Sequence, residues 1–367
     1  MMMILKRYVL KKFVQVYLLT ISGFVCIFLL IDFFERADEF VVRQAPWEDW
    51  AGYYLYKVPL IFSYMAPQAV LLATVVTLTA FARNNEFTAM KACGIGVTGI
   101  AMPILAAAVV VAGIVLASNE YVMPSATEKM NYIFQVKVRH AQDKGPVERD
   151  KLWFRSANGT IWNIDYFDPE RALMKKVSVF LYNGRRAVEQ RIDATAAFWN
   201  GREWEFLDGY VRDFSPTGLS RTEYFKNRVF PAPESPADFK KVQKKPEEMS
   251  AREMYRVIQA ESTMGKDTEK KWVDLHRKIS YPFMSVILGL IGIPLSLRTG
   301  RTGGVLFCVA VSLAVGLAFS FIYALGISLG HGGTFGPLLA AWGPLLLFGS
   351  LGFYMILTLD SEKILPL

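Results

Sequence analysis

The sequence is poor in the residues that build metal centres and catalytic triads. It contains three histidines and three cysteines among 367 residues. His140, His276 and His331 are far apart, and neither an H-E-x-x-H pattern nor a Walker A loop occurs. A metal cluster or a nucleophile triad therefore has little support. We predict no catalytic residue, no metal and no cofactor bound by this chain, and structural roles for His276 and His331.

The positions of the cysteines argue against a disulfide framework. Cys26 and Cys308 lie within apolar runs, and Cys93 lies in a short connection between two others. The polar middle of the chain contains no cysteine. Neither a disulfide nor a cysteine-based metal site is therefore predicted.

Apolar residues are abundant instead. They make up 53% of the chain, and aromatic residues 14%, which is more than one soluble core needs. A helix needs about 20 apolar residues to cross a bilayer core of about 30 Å. Six runs meet this requirement, at approximately 13–33, 53–82, 97–118, 279–297, 304–329 and 335–358. The fold class predicted is an α-helical polytopic membrane protein with six transmembrane helices.

The first apolar run follows Lys6, Arg7, Lys11 and Lys12, so a cleaved signal peptide is an alternative to a membrane span. We interpret the run as a span, because it is too long for a signal core. No small-x-small cleavage site follows it either; the chain continues with Ile31-Asp32-Phe33-Phe34-Glu35-Arg36.

The distribution of basic residues predicts that both termini are cytoplasmic. The segments on that side then contain Lys6, Arg7, Lys11, Lys12, Arg83, Lys91, Arg298, Arg301 and Lys363. The short outer loops contain Arg36 and Arg43. Between the first two spans, a predicted loop holds Trp47, Trp50, Tyr53, Tyr54 and Tyr56, the ring types found at membrane boundaries.

The predicted domains are residues 1–123 with three spans, an insert at 124–273, and residues 274–367 with three further spans. The regular short strands and turn signals of the insert predict an all-β domain, which is a sandwich, a jelly roll or an open barrel. Its predicted strands are 152–155, 160–164, 177–182, 187–198, 204–214 and 222–229. Three dipeptides typical of hairpin turns separate them: Asn158-Gly159, Asn183-Gly184 and Asn200-Gly201.

After a connector at 231–246 that is rich in proline and lysine, Ser250 and Glu253 have the spacing of a capping box and predict a linking helix near 251–263. Residues 124–278 contain 29 Lys and Arg against 23 Asp and Glu, so +6 of the chain's +8 charge lies there. An excess outside the cytoplasm argues against nucleic acid and is compatible with an anionic ligand.

The connection between the second and third spans contains two patterns. Gly94-Ile95-Gly96-Val97-Thr98-Gly99 matches G-x-G-x-x-G formally, but no strand precedes it, so we reject a dinucleotide site. Residues 84–94 predict a short amphipathic helix with Asn84 or Asn85 as its N-cap and Gly94 as its end. Phe87, Met90 and Gly94 share one face, and Glu86 and Lys91 flank it. The helix either docks into a groove of a cytoplasmic partner or lies on the lipid surface.

Three stretches resemble the LptF/LptG family of lipopolysaccharide-export permeases, with LptG the closer of the two. They are Asn85-Glu86-Phe87-Thr88-Ala89-Met90-Lys91-Ala92-Cys93-Gly94, then Arg191-Ile192-Asp193-Ala194 with Trp199-Asn200-Gly201, Trp204 and Leu207-Asp208-Gly209, and Leu275-His276-Arg277-Lys278-Ile279-Ser280-Tyr281-Pro282-Phe283 with Gly292-Ile293-Pro294-Leu295. The similarity covers nearly the whole chain in order and spacing.

The resemblance implies a subunit of the bacterial inner membrane with a periplasmic jelly roll and no enzymatic activity of its own. The implied partners are an LptF-like permease, an LptB-like ATPase dimer that holds ATP and Mg, LptC-like and LptA-like periplasmic jelly-roll proteins, and lipopolysaccharide. The helix near 84–94 would be the coupling helix, with its acidic residue at Glu86.

In LptG-like chains, a basic residue near the outer end of the first span often meets lipid phosphates. Here Asp32 stands at that position, with Phe33 beside it and Arg36 one turn later. A charge in the middle of a bilayer costs about 2.5–3.5 kcal/mol, so Asp32 is expected near the end of the span or in a polar cavity. A substrate gate and an interfacial anchor are both open interpretations.

The insert also suggests a lipid groove. Phe154, Ile161, Ile164, Val179 and Leu181 are the predicted inward residues that would face acyl chains. The alternative is an ordinary filled core.

Two other classes of function are open. A non-transporting membrane scaffold fits the same topology. An ion-driven transporter would need paired ionisable groups deep in the spans, and we expect Asp32, Lys57 and Glu120 to lie near span ends instead. Pro282, Pro294 and the glycines at 289, 292, 316, 326 and 330 favour close helix packing or a lateral gate.

Overall fold

The computed structural model describes residues 2–138, 152–156, 159–168, 171–182, 187–215, 218–230, 234–236, 239, 246–263, 267–299 and 304–360. The chain divides into two compact units. Unit 1 comprises Met1–Phe134, Pro246–Tyr255 and Thr268–Leu367, and unit 2 comprises Gln135–Lys245 and Arg256–Asp267. The predicted turns at Asn158 and Asn183-Gly184, most of the connector at 231–246, and His140, Arg301 and Lys363 lie outside the described residues.

Unit 1 is helical. Its main helices are α1 (Met2–Val42), α2 (Trp47–Arg83), α3 (Glu86–Ala92), α4 (Val97–Ala117), α5 (Met123–Tyr132), α7 (Glu269–Thr299), α8 (Val305–His331) and α9 (Pro337–Asp360). Helix α6 (Ala251–Thr263) contains residues of both units. Among the described residues, six helical segments are long and apolar enough to cross a membrane, which confirms the predicted polytopic class.

Several spans extend beyond their predicted bounds: the first runs from Ile4 to Val42 rather than over 13–33, and the fourth begins at Glu269 rather than near 279. The prediction of an aromatic loop between the first two spans is wrong, because α2 begins at Trp47 and contains the aromatic residues assigned to that loop. The third span runs from Val97 to Gln135 rather than ending near 118. A π-helical segment, Ser118–Val122, joins α4 to α5 without a break, so polar residues after the apolar run extend the same helix.

Glycines allow the helices of unit 1 to approach each other closely. A Cβ at Gly292 would lie 3.1 Å from the Thr74 side chain, and one at Gly330 would lie 2.6 Å from the Ala340 side chain. At Gly316 the neighbour is polar: Gln68 Nε2 donates to the Gly316 carbonyl at 3.2 Å. These contacts support close packing as the role of the glycines.

Unit 2 contains an antiparallel sheet, which confirms the all-β insert. Its strands are β1 (Leu152–Arg155), β2 (Ile161–Asp168), β3 (Leu173–Tyr182), β4 (Val188–Trp199), β5 (Trp204–Ser215) and β6 (Gly218–Phe230). They pair in sequence order as a meander, β1-β2-β3-β4-β5-β6. The Asn200-Gly201 turn joins β4 to β5 as predicted, with Gly201 at φ 97°, and the Asn200 side chain accepts the backbone N–H of Arg202 at 2.9 Å.

One face of the sheet carries the apolar core of unit 2. Trp162, Val179, Ile192 and Val211 are paired in one row across four strands and are all buried. Phe239 is fully buried in the same cluster, and its ring centroid lies 5.3 Å from that of Trp162. The opposite face is polar around Asp193, which pairs with Arg191 and Arg212.

Strand β5 contains a position that only glycine fits. A Cβ at Gly209 would overlap the carbonyl oxygen of Asp193 and the ring of Phe225. The preceding residue, Asp208, has φ 45°, and its carboxylate accepts a hydrogen bond from the Tyr224 hydroxyl at 3.1 Å. That hydrogen bond raises the pKa of Tyr224.

We predict that Gly209→Ala destabilises unit 2. Overpacking a closely packed site costs about 1–3 kcal/mol, so the purified chain in detergent should show faster proteolysis of the 152–230 region. The control is Gly113→Ala in α4, where an added methyl meets no atom within 4 Å. Equal proteolysis rates for the two variants would contradict the prediction.

Candidate functional site

Helix α3 forms the predicted short helix between the second and third spans. It begins after Asn85, which has φ 58° and makes no side-chain cap, so the predicted asparagine cap by a side chain is wrong. Gly94 ends the helix as predicted, at φ 78°. The N–H of Ile95 bonds to the Met90 carbonyl at 3.1 Å and that of Gly94 to the Lys91 carbonyl at 2.9 Å, a Schellman motif.

The apolar face of α3 points inward, which corrects the expectation that Phe87 and Met90 form a docking face. Both are buried in a core that unit 1 builds from its first four spans. The exposed surface of α3 instead consists of Thr88, Ala89, Lys91, Ala92, Cys93 and Gly94. The chain's own helices cover Phe87 and Met90, so these two side chains add little to the exposed surface of α3.

Glu86 is held by the first span. The Tyr8 hydroxyl of α1 donates to Glu86 Oε2 at 3.0 Å, and Asn84 Nδ2 donates to Glu86 Oε1 at 3.3 Å. The Tyr8 ring stacks on Phe81 with centroids 5.7 Å apart. The acidic residue therefore joins α3 to α1, a contact that sequence reasoning missed because 78 residues separate the two partners.

Asp32 lies in a charged cluster at the other end of α1. Its Oδ1 accepts from Arg36 Nε at 3.1 Å and also contacts Lys57 Nζ of α2. The side chains of Asp32 and Lys57 are 14% and 13% exposed. Lys57 was predicted near a span end but not as the partner of Asp32. One carboxylate is therefore shared by two cations, and Glu35 also lies close enough to interact electrostatically with Lys57.

Aromatic rings surround the cluster. Arg36 Cζ lies 4.6 Å from the ring centroid of Phe134, and Lys57 Nζ lies 5.1 Å from that of Tyr53. Both distances allow cation–π contacts. Phe33 lies beside them, with its ring 5.6 Å from that of Trp50 and its side chain partly exposed. The residues Asp32, Phe33 and Arg36 thus come together with α2 in one site.

An apolar cavity of about 510 Å³ lies near the cluster, between α1, α2 and the π-helical segment. Its lining includes Ile21, Val25, Cys26, Val58, Phe62 and Val122. Val58, the residue after Lys57, lines the cavity, whereas the charged side chains of Asp32, Arg36 and Lys57 are not part of its lining. A charged group beside an apolar cavity suits an amphiphile with an anionic head and hydrocarbon chains.

Four of the five predicted groove residues share one face of the sheet. Phe154, Ile164 and Val179 are buried in the core of unit 2, and Leu181 packs against it while partly exposed. Ile161 is on the opposite face, because side chains alternate along β2 and its neighbour Trp162 points into the core. Its assignment to the inward face is therefore corrected.

His276 and His331 make structural contacts. His331 Nε2 lies 3.1 Å from Asp274 Oδ1 and joins α8 to α7. The His276 ring stacks on Trp272 of the same helix with centroids 6.0 Å apart. Within the described residues, no group of three or more His, Cys, Asp or Glu side chains is arranged to hold a metal ion.

A comparison with known protein families shows which family the chain belongs to. The family model described as lipopolysaccharide export system permease LptF/LptG matches residues 7–358. The chain belongs to the LptF/LptG family. The match covers both units, including α3 and the β insert. A comparison with curated proteins finds no match.

Membership of the LptF/LptG family assigns the chain a role as permease component of the lipopolysaccharide export system. It is a multi-pass inner-membrane protein, in agreement with its six apolar helices. The family description covers LptF and LptG alike, so the closer likeness to LptG stays a prediction.

We predict that Asp32→Ala destabilises unit 1, because it leaves Lys57 and Arg36 without their shared carboxylate. Breaking a buried ion pair costs about 3–5 kcal/mol, and the slight exposure of this pair places the expected loss near the lower value. Thermal unfolding of the purified chain in detergent measures it. The control is Asp38→Ala, an exposed aspartate on the same helix.

The double variant Asp32→Ala/Lys57→Met tests the cause of that loss. It should recover much of the stability, because it also removes the lysine charge that Asp32→Ala leaves unpaired. A double variant as unstable as Asp32→Ala alone would show that ion pairing is not the reason.

Proposed function

We propose that this chain is one transmembrane subunit of an ATP-driven transporter that extracts lipopolysaccharide from the inner membrane. The observation that carries the proposal is the contact between Glu86 of α3 and Tyr8 of α1. A short helix with one exposed face and an acidic residue bound to the first span is suited to pass movement from a partner into the membrane helices. The family role in lipopolysaccharide export supports the substrate.

The ATPase belongs to separate partners in this proposal. An LptB-like ATPase dimer binds the exposed surface of α3 and holds ATP and Mg, and an LptF-like permease completes the membrane complex. Both termini and α3 are then cytoplasmic, and the β insert is periplasmic. The exposed Lys91 and the partly exposed Glu86 provide polar contacts for the ATPase.

The membrane step uses the charged cluster and the cavity beside it. Arg36 and Lys57 attract a lipid phosphate, and the apolar lining around Val25 and Phe62 accommodates acyl chains. Asp32 keeps the two cations in place, because its carboxylate contacts both. Closure of the helices on ATP binding then drives the amphiphile out of the bilayer.

Unit 2 receives the lipid on its apolar face and passes it to LptC-like and LptA-like jelly-roll proteins. Phe154, Ile164 and Val179 form the floor of this face, and Leu181 lies half-buried at the end of β3. Because Phe239 already covers part of the face, we expect acyl chains to enter near Leu181 rather than over Trp162.

We predict that changes at the α3 contact separate transport from assembly. Glu86→Lys should lower ATP-dependent lipopolysaccharide release from proteoliposomes about tenfold, because it removes an acceptor of two hydrogen bonds and reverses the charge. Tyr8→Phe removes one hydrogen bond and keeps the ring on Phe81, so a loss of about threefold is expected. Co-purification with the ATPase should persist in Tyr8→Phe.

Tyr121→Phe is the matched control, since Tyr121 is exposed on the π-helical segment. A scaffold that does not transport lipid makes the opposite prediction: it need not bring down an ATPase, and Glu86→Lys would leave export unchanged. That result would reject the transporter in favour of the scaffold.

We predict that the two faces of β3 differ in their access to lipid. A photo-crosslinking amino acid at Leu181 should capture lipopolysaccharide in membranes supplied with ATP, because this side chain packs on the apolar face. The same amino acid at Phe180 is the control, since Phe180 is next in sequence, equally half-buried and on the opposite face. Equal capture at both positions, or none at Leu181, would reject the groove.

A further inference from the structure

The chain returns to unit 1 through a short stretch, residues 246–252, which we call the return segment. Its first turn is the 3₁₀ helix Pro246–Glu248, and its end is the start of α6. Lys278 of α7 donates from Nζ to the carbonyl oxygen of Pro246 at 2.8 Å and also to that of Met249. A single ammonium group thus holds both ends of this turn.

The third span holds the other end of the return segment. Glu120 Oε2 accepts the backbone N–H of Ala251 at 2.8 Å, and its Oε1 lies 3.4 Å from Arg252 Nε. Ala251 is the first residue of α6, and the first N–H groups of a helix have no partner within it. A carboxylate at that end is also favoured by the helix dipole. Glu120 therefore acts as a cap from another element.

Two further contacts join the return segment to the third and fourth spans. Asn131 Nδ2 of α5 donates to Glu248 Oε1 at 2.5 Å, and Arg277 of α7 lies 3.7 Å from Glu247 Oε1. The return segment is therefore bound on one side by the continuous helix of the third span and on the other by the fourth. Met249, within the segment, is buried.

Lys278 depends on the fold of the return segment. Its two acceptors are main-chain carbonyls, and they face one nitrogen because the segment turns there. A partly buried ammonium group without acceptors is costly. Lys278 and the turn therefore stabilise each other, and a shift of α7 acts directly on the return segment.

Helix α6 carries the chain from one unit to the other. Its residues up to Tyr255 belong to unit 1, and those from Arg256 belong to unit 2. Its 13 residues make a rod of about 20 Å at 1.5 Å per residue. Ser250 Oγ accepts the N–H of Glu253 at 3.1 Å, so the predicted cap secures the same end that Glu120 holds.

We infer that Lys278 and Glu120 are positioning residues that couple movement of the third and fourth spans to the β unit through the return segment and α6. They touch neither lipid nor nucleotide in this scheme. Their role is to make the β unit respond when the membrane helices move. The inference rests on the proposed ATP-driven extraction and extends it to a residue-level link between the two units.

The test uses the full chain reconstituted with its ATPase and partner permease in proteoliposomes that contain lipopolysaccharide. Two quantities are measured: the rate of ATP hydrolysis and the ATP-dependent photo-crosslinking of lipopolysaccharide at Leu181. Lys278→Met should keep ATP hydrolysis within about twofold of the unmodified chain and lower the crosslink about tenfold. Lys278→Arg should restore the crosslink, because a guanidinium can donate to both carbonyls.

A second pair of variants tests the opposite end of the return segment. Glu120→Ala removes the cap on α6, and Glu120→Gln retains an oxygen that can accept the Ala251 N–H. We expect Glu120→Ala to keep the rate of ATP hydrolysis and to lower the crosslink at Leu181, and Glu120→Gln to restore the crosslink. This pair decides the question if Lys278→Met does not assemble. Lys270→Met, an exposed lysine on α7, is the control and should change neither quantity.

Two outcomes would overturn the inference. Crosslinking at Leu181 that is unchanged in both Lys278→Met and Glu120→Ala would show that the contacts do not couple the units. A parallel fall of ATP hydrolysis and crosslinking, with no recovery in the conservative variants, would show a general structural defect. An unmodified complex without any ATP-dependent crosslink is a different result, because it rejects the proposed function together with the inference.

Discussion

The salt bridge between Asp32 and Lys57 shows the constraint on which unit 1 depends: an ionisable side chain among membrane helices requires a partner from another helix. Asp32 is bound across α1 and α2, Asp274 meets His331 across α7 and α8, and Glu86 meets Tyr8 across α3 and α1. Each pair fixes how far one helix is shifted along the next, because a slide of one turn would separate the partners. The same polar groups that hold the bundle together therefore mark the places where its helices can transmit movement.

The β unit obeys a different constraint, which is the alternation of side chains along each strand. One face of the meander collects Trp162, Val179 and Ile192 into a core, and the other exposes a polar network around Asp193. Gly209 permits β4, β5 and β6 to approach at one point where any side chain would collide. Separation of an apolar face from a charged face is the property that a lipid carrier needs, and it follows here from strand register alone.

The proposed route through the molecule is a series of contacts between elements rather than one binding site. It begins at Glu86 and Tyr8, passes along the first span to Arg36 and Lys57, and leaves unit 1 at the return segment held by Lys278. The partners in these three contacts are 78, 25 and 32 positions apart in the sequence. In the proposed mechanism, movement of the coupling helix passes along helices of unit 1 that contact one another.

The sequence by itself determined the six apolar helices, the β insert, the ends of its strands to within a few residues, and the short helix that stops at Gly94. Those features follow from local composition and periodicity, which depend only on residues that are close together in the sequence. It could not show that Lys57 pairs with Asp32, that Tyr8 holds Glu86, that Phe87 and Met90 turn inward, or that Lys278 supports the return segment. Each of these depends on which distant segment packs nearby, so only the tertiary structure decided them.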